Sequence, residues 1–224
     1  MDQNTKTIIE KRIERTMKAL ENNNMQAFYA ENKCKAVELV KSLIEKGATV
    51  SFGGSVSLSE SGVLELIKSG DYNLLDRSAP SLTPAQIQKI YRDTFSADVY
   101  LCSSNAITEN GELYNVDGFG NRVAAITFGP ESVIIVAGYN KIVADIDEAA
   151  DRVKRIAAPA NCLRLSKDTY GAACGSCVSL KDGKAEMTEG CNSDDRICCT
   201  YVVCAKQRVK NRIKVIIVGE ELGY

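Results

Sequence analysis

Six of the chain's nine cysteines fall between Cys174 and Cys204, in the stretch CGSCVSLKDGKAEMTEGCNSDDRICCTYVVC. Thiolates bind metals and exchange as disulfides, so such a density is a chemical signal. Cys174 and Cys177 form a C-x-x-C knuckle, and Cys191 and Cys198 follow after 13 and six intervening residues. The chain has no histidine, so a metal centre on Cys174, Cys177, Cys191 and Cys198 would be all thiolate. Four thiolates suit zinc or an iron–sulfur cluster, and Gly175 and Gly190 let the backbone curl around an ion. The second half reads C-x6-C, which matches neither a ferredoxin nor a paired zinc ribbon. Reduced structural thiols and a Cys174–Cys177 redox disulfide are the competing readings. Cys34, Cys102, Cys162, Cys199 and Cys204 read as small packing residues.

Two other stretches could bind a ligand. Gly53-Gly54-Ser55 follows a short apolar run and precedes an expected helix. Glycines admit close approach, and amides opening a helix attract anions. A ligand-free tight turn explains the same residues. The segment Ser103–Arg122, SSNAITENGELYNVDGFGNR, also follows an apolar run. Ser103, Ser104, Asn105, Thr108, Asn115, Asp117, Asn121 and Arg122 crowd donors, acceptors and charges there, with Gly118 allowing tight approach. Ligands of open α/β sheets bind at the carboxyl ends of strands. Turn chemistry accounts for Asn110, Gly111, Asp117 and Gly118 without a ligand. Lys141, after the next strand, is placed to neutralise an anion at the same edge, or is a solvated loop lysine.

The elements that position these residues are legible in the pattern. Ile9, Ile13, Met17 and Leu20 predict a helix over residues 5–22, and Ala36, Leu39, Val40, Leu43 and Ile44 a second. Ala48–Phe52, Asp98–Cys102, Val133–Ala137 and Ile213–Gly219 read as strands, with a weaker one at Asn73–Asp76. Ser57-Leu58-Ser59-Glu60 reads as a capping box before a helix over Gly62–Lys68. Thr83-Pro84-Ala85-Gln86 opens another helix running to about Ser96. Glu109-Asn110-Gly111 joins a hairpin, and Asp145–Ala158 is helical. Helices and strands alternate without two-residue alternation inside the strands. That predicts an α/β fold with a mostly parallel sheet flanked by helices.

Composition narrows the partners. Hydrophobic residues make up 45% and charged ones 25%, ordinary for a globular chain. A net charge of −1 with dispersed basic residues argues against nucleic acid. The absence of tryptophan argues against a base-stacking platform. No apolar run is long enough for a signal peptide or a membrane span. The expectation is a cytoplasmic protein whose thiols stay reduced.

The blocks GGSVSLSESG, DVYLCSSNAITENGELYNVDGFGNRVAAITFGPESVIIVAGYNKIV and IKVIIVGEELG resemble the LUD-domain family of lactate-utilisation proteins. The resemblance spans residues 5–224 and implies a single 1–224 domain. Within it lie an N-terminal helical segment (5–46) and a cysteine-rich loop (166–204). It implies the fold shared by glucosamine-phosphate isomerase, ribose-phosphate isomerase and class I coenzyme A transferases. It also implies a part in oxidising L-lactate to pyruvate beside iron–sulfur partner proteins. Gly190–Cys198 resembles the cysteine-bearing tail of many members, with Val178–Glu189 as extra length. Glu109-Asn110-Gly111 resembles the motif carrying the nucleophilic glutamate of those transferases, which form acyl anhydrides. An exposed hairpin residue is the plainer reading of Glu109. The expected function is therefore lactate utilisation, with an anionic metabolite or cofactor held by Gly53–Ser55, the Ser103–Arg122 segment and Lys141. The alternatives are an acyl- or coenzyme-A-dependent transferase using Glu109, and a non-catalytic subunit scaffolding iron–sulfur partners. Self-association into a homo-oligomer is left open.

Overall fold

A computed structural model describes residues 2–181, 183 and 186–224. The expected insertion Val178–Glu189 is thus only partly within the described residues, because 182, 184 and 185 lie outside them. The strands are β1 (Gln26–Ala30), β2 (Thr49–Phe52), β3 (Asn73–Leu74), β4 (Val99–Cys102), β5 (Ala106–Thr108), β6 (Leu113–Asp117), β7 (Ser132–Gly138), β8 (Ile142–Val143), β9 (Thr200–Cys204) and β10 (Ile213–Val218). The helices are α1 (Gln3–Asn22), α2 (Lys33–Leu43), α3 (Val56–Glu60), α4 (Val63–Ile67), α5 (Pro84–Asp93), α6 (Asn121–Thr127), α7 (Ile146–Arg152), α8 (Ala158–Arg164) and α9 (Tyr170–Cys174).

Six strands form one sheet in the order β1-β10-β7-β4-β2-β3, each neighbouring pair parallel. Its central strands are apolar at successive positions because both faces are covered. Val133, Ile135, Val215 and Ile217 pack toward Ile13 and Leu20 of α1 and toward Ile107 and Leu113 of a second sheet. Ile134, Val136, Ile216 and Val218 pack the other way, against Ala36 and Val40 of α2 and Leu58 of α3. The second sheet runs β8-β5-β6-β9 and includes the expected hairpin β5–β6. On its far side Tyr114 and Val116 meet Ala149, Val153 and Ala157.

Several boundaries differ from expectation for local reasons. β1, a short QAFYA run without the β-branched residues that mark a strand, completes the sheet beside β10. Ser55, not Ser57, caps α3, its hydroxyl accepting from the Leu58 amide. Glu60, the expected reciprocal cap, instead accepts from the Gly223 amide. The Thr83 capping box forms as read, with Gln86 as its partner. The helix expected to stop at Ala158 runs on to Arg164 through a π-helical turn at Val153–Ala157. Pro159 has no amide for the Arg155 carbonyl and its ring crowds that oxygen, and a widened turn absorbs both. No described helix is long and apolar enough to cross a membrane.

Candidate functional site

The carboxyl ends of β2, β4, β6 and β7 open into one cleft of about 660 Å³. Its wall includes Gly54, Ser55, Ser103, Ser104, Asn105, Asp117, Gly118, Asn121, Arg122 and Lys141. These residues were expected at strand ends, and the parallel sheet delivers them to one edge. Gly53 and Asn115 stand just behind the wall. Gly53 is buried under Tyr100 and the Arg122 side chain, with its amide on the Leu101 carbonyl. Asn115 is fully buried and accepts from Arg122 Nη1 at 2.8 Å.

The geometry revises the role expected of Arg122. Its Nη1 donates to the Ser103 carbonyl and Asn115 Oδ1, and its Nη2 to Asn105 Oδ1 and the Val116 carbonyl. Its Nε faces Asp117 Oδ2 at 3.7 Å. Arg122 braces the cleft wall and has few donors left for a substrate carboxylate.

Other cations at the cleft are not so spent. Arg77, from the turn after β3, lies between the rings of Phe52 and Tyr91. Its Nη1 donates to Tyr91 Oη at 3.1 Å, and its buried Nε has no partner. Lys141 is 4% exposed, and its amine donates to Ser57 Oγ at 2.9 Å and Ser103 Oγ at 3.2 Å. Burial is the main force pulling its pKa down to about 7, with the charges of Arg152 and Arg122 adding to it. Arg152, itself buried, donates to the carbonyls of Asn105 and Asn140. Among the described residues, no carboxylate lies in ion-pair range of Arg77, Lys141 or Arg152. Arg164, Lys167, Arg196, Asp194 and Asp195 also line the cleft. Lys167 is paired to Asp195 at 2.8 Å.

Sequence reading missed Arg77, Tyr91, Arg164, Lys167, Arg196 and Tyr224, all of which line the cleft. Arg77 carried one signal, an arginine just past a strand. The rest arrive from distant segments and carried none. The anion site expected of a helix start is also reshaped. α3 has only five residues, so its dipole is small, and Ser55 already caps it. Charge at Gly54 comes instead from Arg77, whose Nη2 would stand 2.6 Å from a β-carbon placed there.

Glu109 does not line the cleft. Its carboxylate accepts from Arg12 Nε at 2.7 Å and Arg15 Nη2 at 3.1 Å, both on α1. Burial pushes its pKa up, but these two guanidinium bonds outweigh burial and hold it below the ordinary carboxylate value. Gly111 turns at φ +79° directly against the α1 backbone, which leaves no room for a side chain. The Glu109-Asn110-Gly111 turn is thus an anchor for α1, and nothing in its setting prepares Glu109 as a nucleophile.

The cysteines assemble differently from the expected quartet. Cys177, Cys191 and Cys198 share a cavity of about 30 Å³ with Cys162, while Cys174 is exposed on α9 and does not line it. That space suits about one water. Among the described residues, no group of three or more Cys, Asp or Glu converges closely enough to hold a metal ion. The arrangement does not fit the four-thiolate zinc or iron–sulfur centre read from the spacing. Arg196 Nε, Nη1 and Nη2 bond the carbonyls of Cys198, Cys191 and Thr188, so a guanidinium braces this loop. Cys102 and Cys204 are buried as expected, whereas Cys34 and Cys199 are exposed.

A model of the LUD domain matches residues 13–218. The chain belongs to the LUD-domain family. No curated protein matches it. Among solved structures, the crystal structure of a DUF162 family protein from Deinococcus radiodurans is 14% identical, over 95% of this chain and 98% of that one, with a TM-score of 0.47. The LUD-domain match takes in every strand end that opens into the cleft, together with Arg77 and Lys141.

Proposed function

We propose that this LUD-domain protein serves lactate utilisation by binding a small carboxylate, L-lactate or its oxidation product pyruvate, in the strand-end cleft. One observation carries the reading: Arg77 borders the cleft with its buried Nε unpartnered and without a carboxylate in ion-pair range among the described residues. Cations removed from water are costly unless an anion meets them. A metabolite carboxylate supplies that charge, and the Ser55 hydroxyl, which accepts from the Leu58 amide and keeps its own proton to donate, offers a hydrogen bond to a 2-hydroxyl or 2-oxo group. Oxidation of lactate releases two electrons and two protons. The family resemblance assigns the electrons to iron–sulfur partner proteins, and the reading keeps that assignment.

Titration calorimetry tests it. L-lactate and pyruvate should bind, while lactamide, which lacks the charge, should bind at least about tenfold more weakly, the effect of about 1.4 kcal/mol. Equal binding of lactamide and lactate, or no binding of either acid, would remove the reading.

A further inference from the structure

Lys141 ends the short 3-10 turn Tyr139–Lys141 between β7 and β8. It is nearly enclosed, yet it borders the cleft. Its two partners are hydroxyls, Ser57 Oγ and Ser103 Oγ. Each of those hydroxyls directs its own proton to a carbonyl, Ser57 to Leu222 and Ser103 to Ser104. Both therefore present lone pairs to the amine. A neutral amine has two N–H donors and one lone pair, whereas an ammonium has three donors. The two hydroxyls satisfy both N–H donors of the neutral form, whose lone pair is then available at the cleft.

The charges around Lys141 favour the same form. Arg152 and Arg122 repel a proton there, and burial does more than either. Glu60 acts in the opposite direction, but its Oε2 already accepts from the Gly223 amide. The nearby Cys102 thiol is pushed up to about 12 by burial and stays neutral. A buried lysine beside other cations is a way to make an amine nucleophilic at neutral pH.

We propose that Lys141 captures a 2-oxo acid of the pyruvate class as a covalent imine, an inference that rests on the anion-binding reading of the cleft. The ζ-nitrogen lone pair forms a bond to the carbonyl carbon. Both carbon–oxygen bonds of the carbonyl are broken, and the oxygen departs as water with the two amine hydrogens. No electrons are gained or lost, so no oxidant is required, and hydrolysis reverses the step. A 2-hydroxy acid has no ketone carbonyl at its second carbon and cannot form the adduct. The cleft thereby distinguishes the oxidised from the reduced member of the pair.

Reductive trapping tests the imine. Protein, pyruvate and cyanoborohydride at pH 7 should yield one reduced pyruvyl adduct by mass spectrometry, mapped to Lys141. Labelling there should exceed that of any exposed lysine by about 1,000-fold, since ordinary lysines are almost wholly protonated at this pH. Lactate in place of pyruvate should give no adduct. Lys141→Arg should abolish the adduct with the circular dichroism spectrum retained. No adduct, or one spread over other lysines with Lys141 unmodified, overturns covalent capture. Calorimetry separates the two ideas: pyruvate binding without trapping leaves the anion site standing and the imine refuted, and loss of both refutes both.

Discussion

Lys141 Nζ meets Ser57 Oγ at 2.9 Å and so ties the end of β7 to the first turn of α3 across the cleft floor. The contact holds an amine inside the protein at a cost that depends on pH. Its pKa falls from the ordinary 10.5 to about 7 on folding. Between those values the unfolded chain binds the extra proton, so stability from this group rises with pH from about 7 to 10.5 and is level outside that window. Urea midpoints measured across the window should climb for the wild type and climb less for Lys141→Met. Parallel curves would show that Lys141 is not the titrating group.

Gly54 should separate binding from folding. A β-carbon there meets only the far end of Arg77, which can swing aside. Gly54→Val should leave the thermal midpoint nearly unchanged and displace the guanidinium. Affinity for pyruvate should fall about tenfold, near 1.4 kcal/mol. Unchanged affinity would mean that Arg77 takes no part in holding the anion.

Arg122 should behave as a brace. Lysine is a point donor and cannot span the Ser103, Asn105, Asn115 and Val116 acceptors that the guanidinium holds. Arg122→Lys should cost about 2–4 kcal/mol of stability, because it leaves buried acceptors unpaired. Chemical denaturation reads this directly. A variant with native stability and lost ligand affinity would instead make Arg122 a substrate contact.

Glu109→Gln should loosen α1. The two guanidinium contacts are partly exposed, so the loss should be about 1 kcal/mol, shrinking in acid as the wild-type carboxylate protonates. Coenzyme A exchange activity destroyed by this change would restore the transferase reading that the geometry leaves without support.

The parallel sheet was legible because β4, β7 and β10 carry apolar residues at successive positions, as in Val133–Ala137 and Val215–Val218, a pattern that two covered faces require. Its strand ends, Gly54, Ser103 and Lys141, could be named for the same reason. β1 escaped because QAFYA mixes polar and apolar residues at the sheet's edge. α6 escaped because it opens after Gly120 without a side-chain cap. Arg77 and Arg164 reach the cleft from a turn and a helix end, and one-dimensional spacing does not encode such meetings. Arg122 was assigned to the right wall and the wrong task, since a sequence does not reveal how many donors are already taken. The cysteine spacing did not reveal that Cys162, on a helix, shares the cavity with Cys177, Cys191 and Cys198 while Cys174 stays outside it.

β10 lies between β1 and β7, hydrogen-bonded to both. A strand made near residue 28 must wait for one made near residue 215 before its edge is paired. While the ribosome is still supplying the intervening chain, both β1 and β7 present open parallel edges, the arrangement most prone to pair with a neighbour. Productive assembly of this chain is thus a race between synthesis of Ile213–Val218 and self-association of its precursors. Slower translation or higher expression temperature should show up as insoluble protein before any loss of stability is seen in the finished molecule.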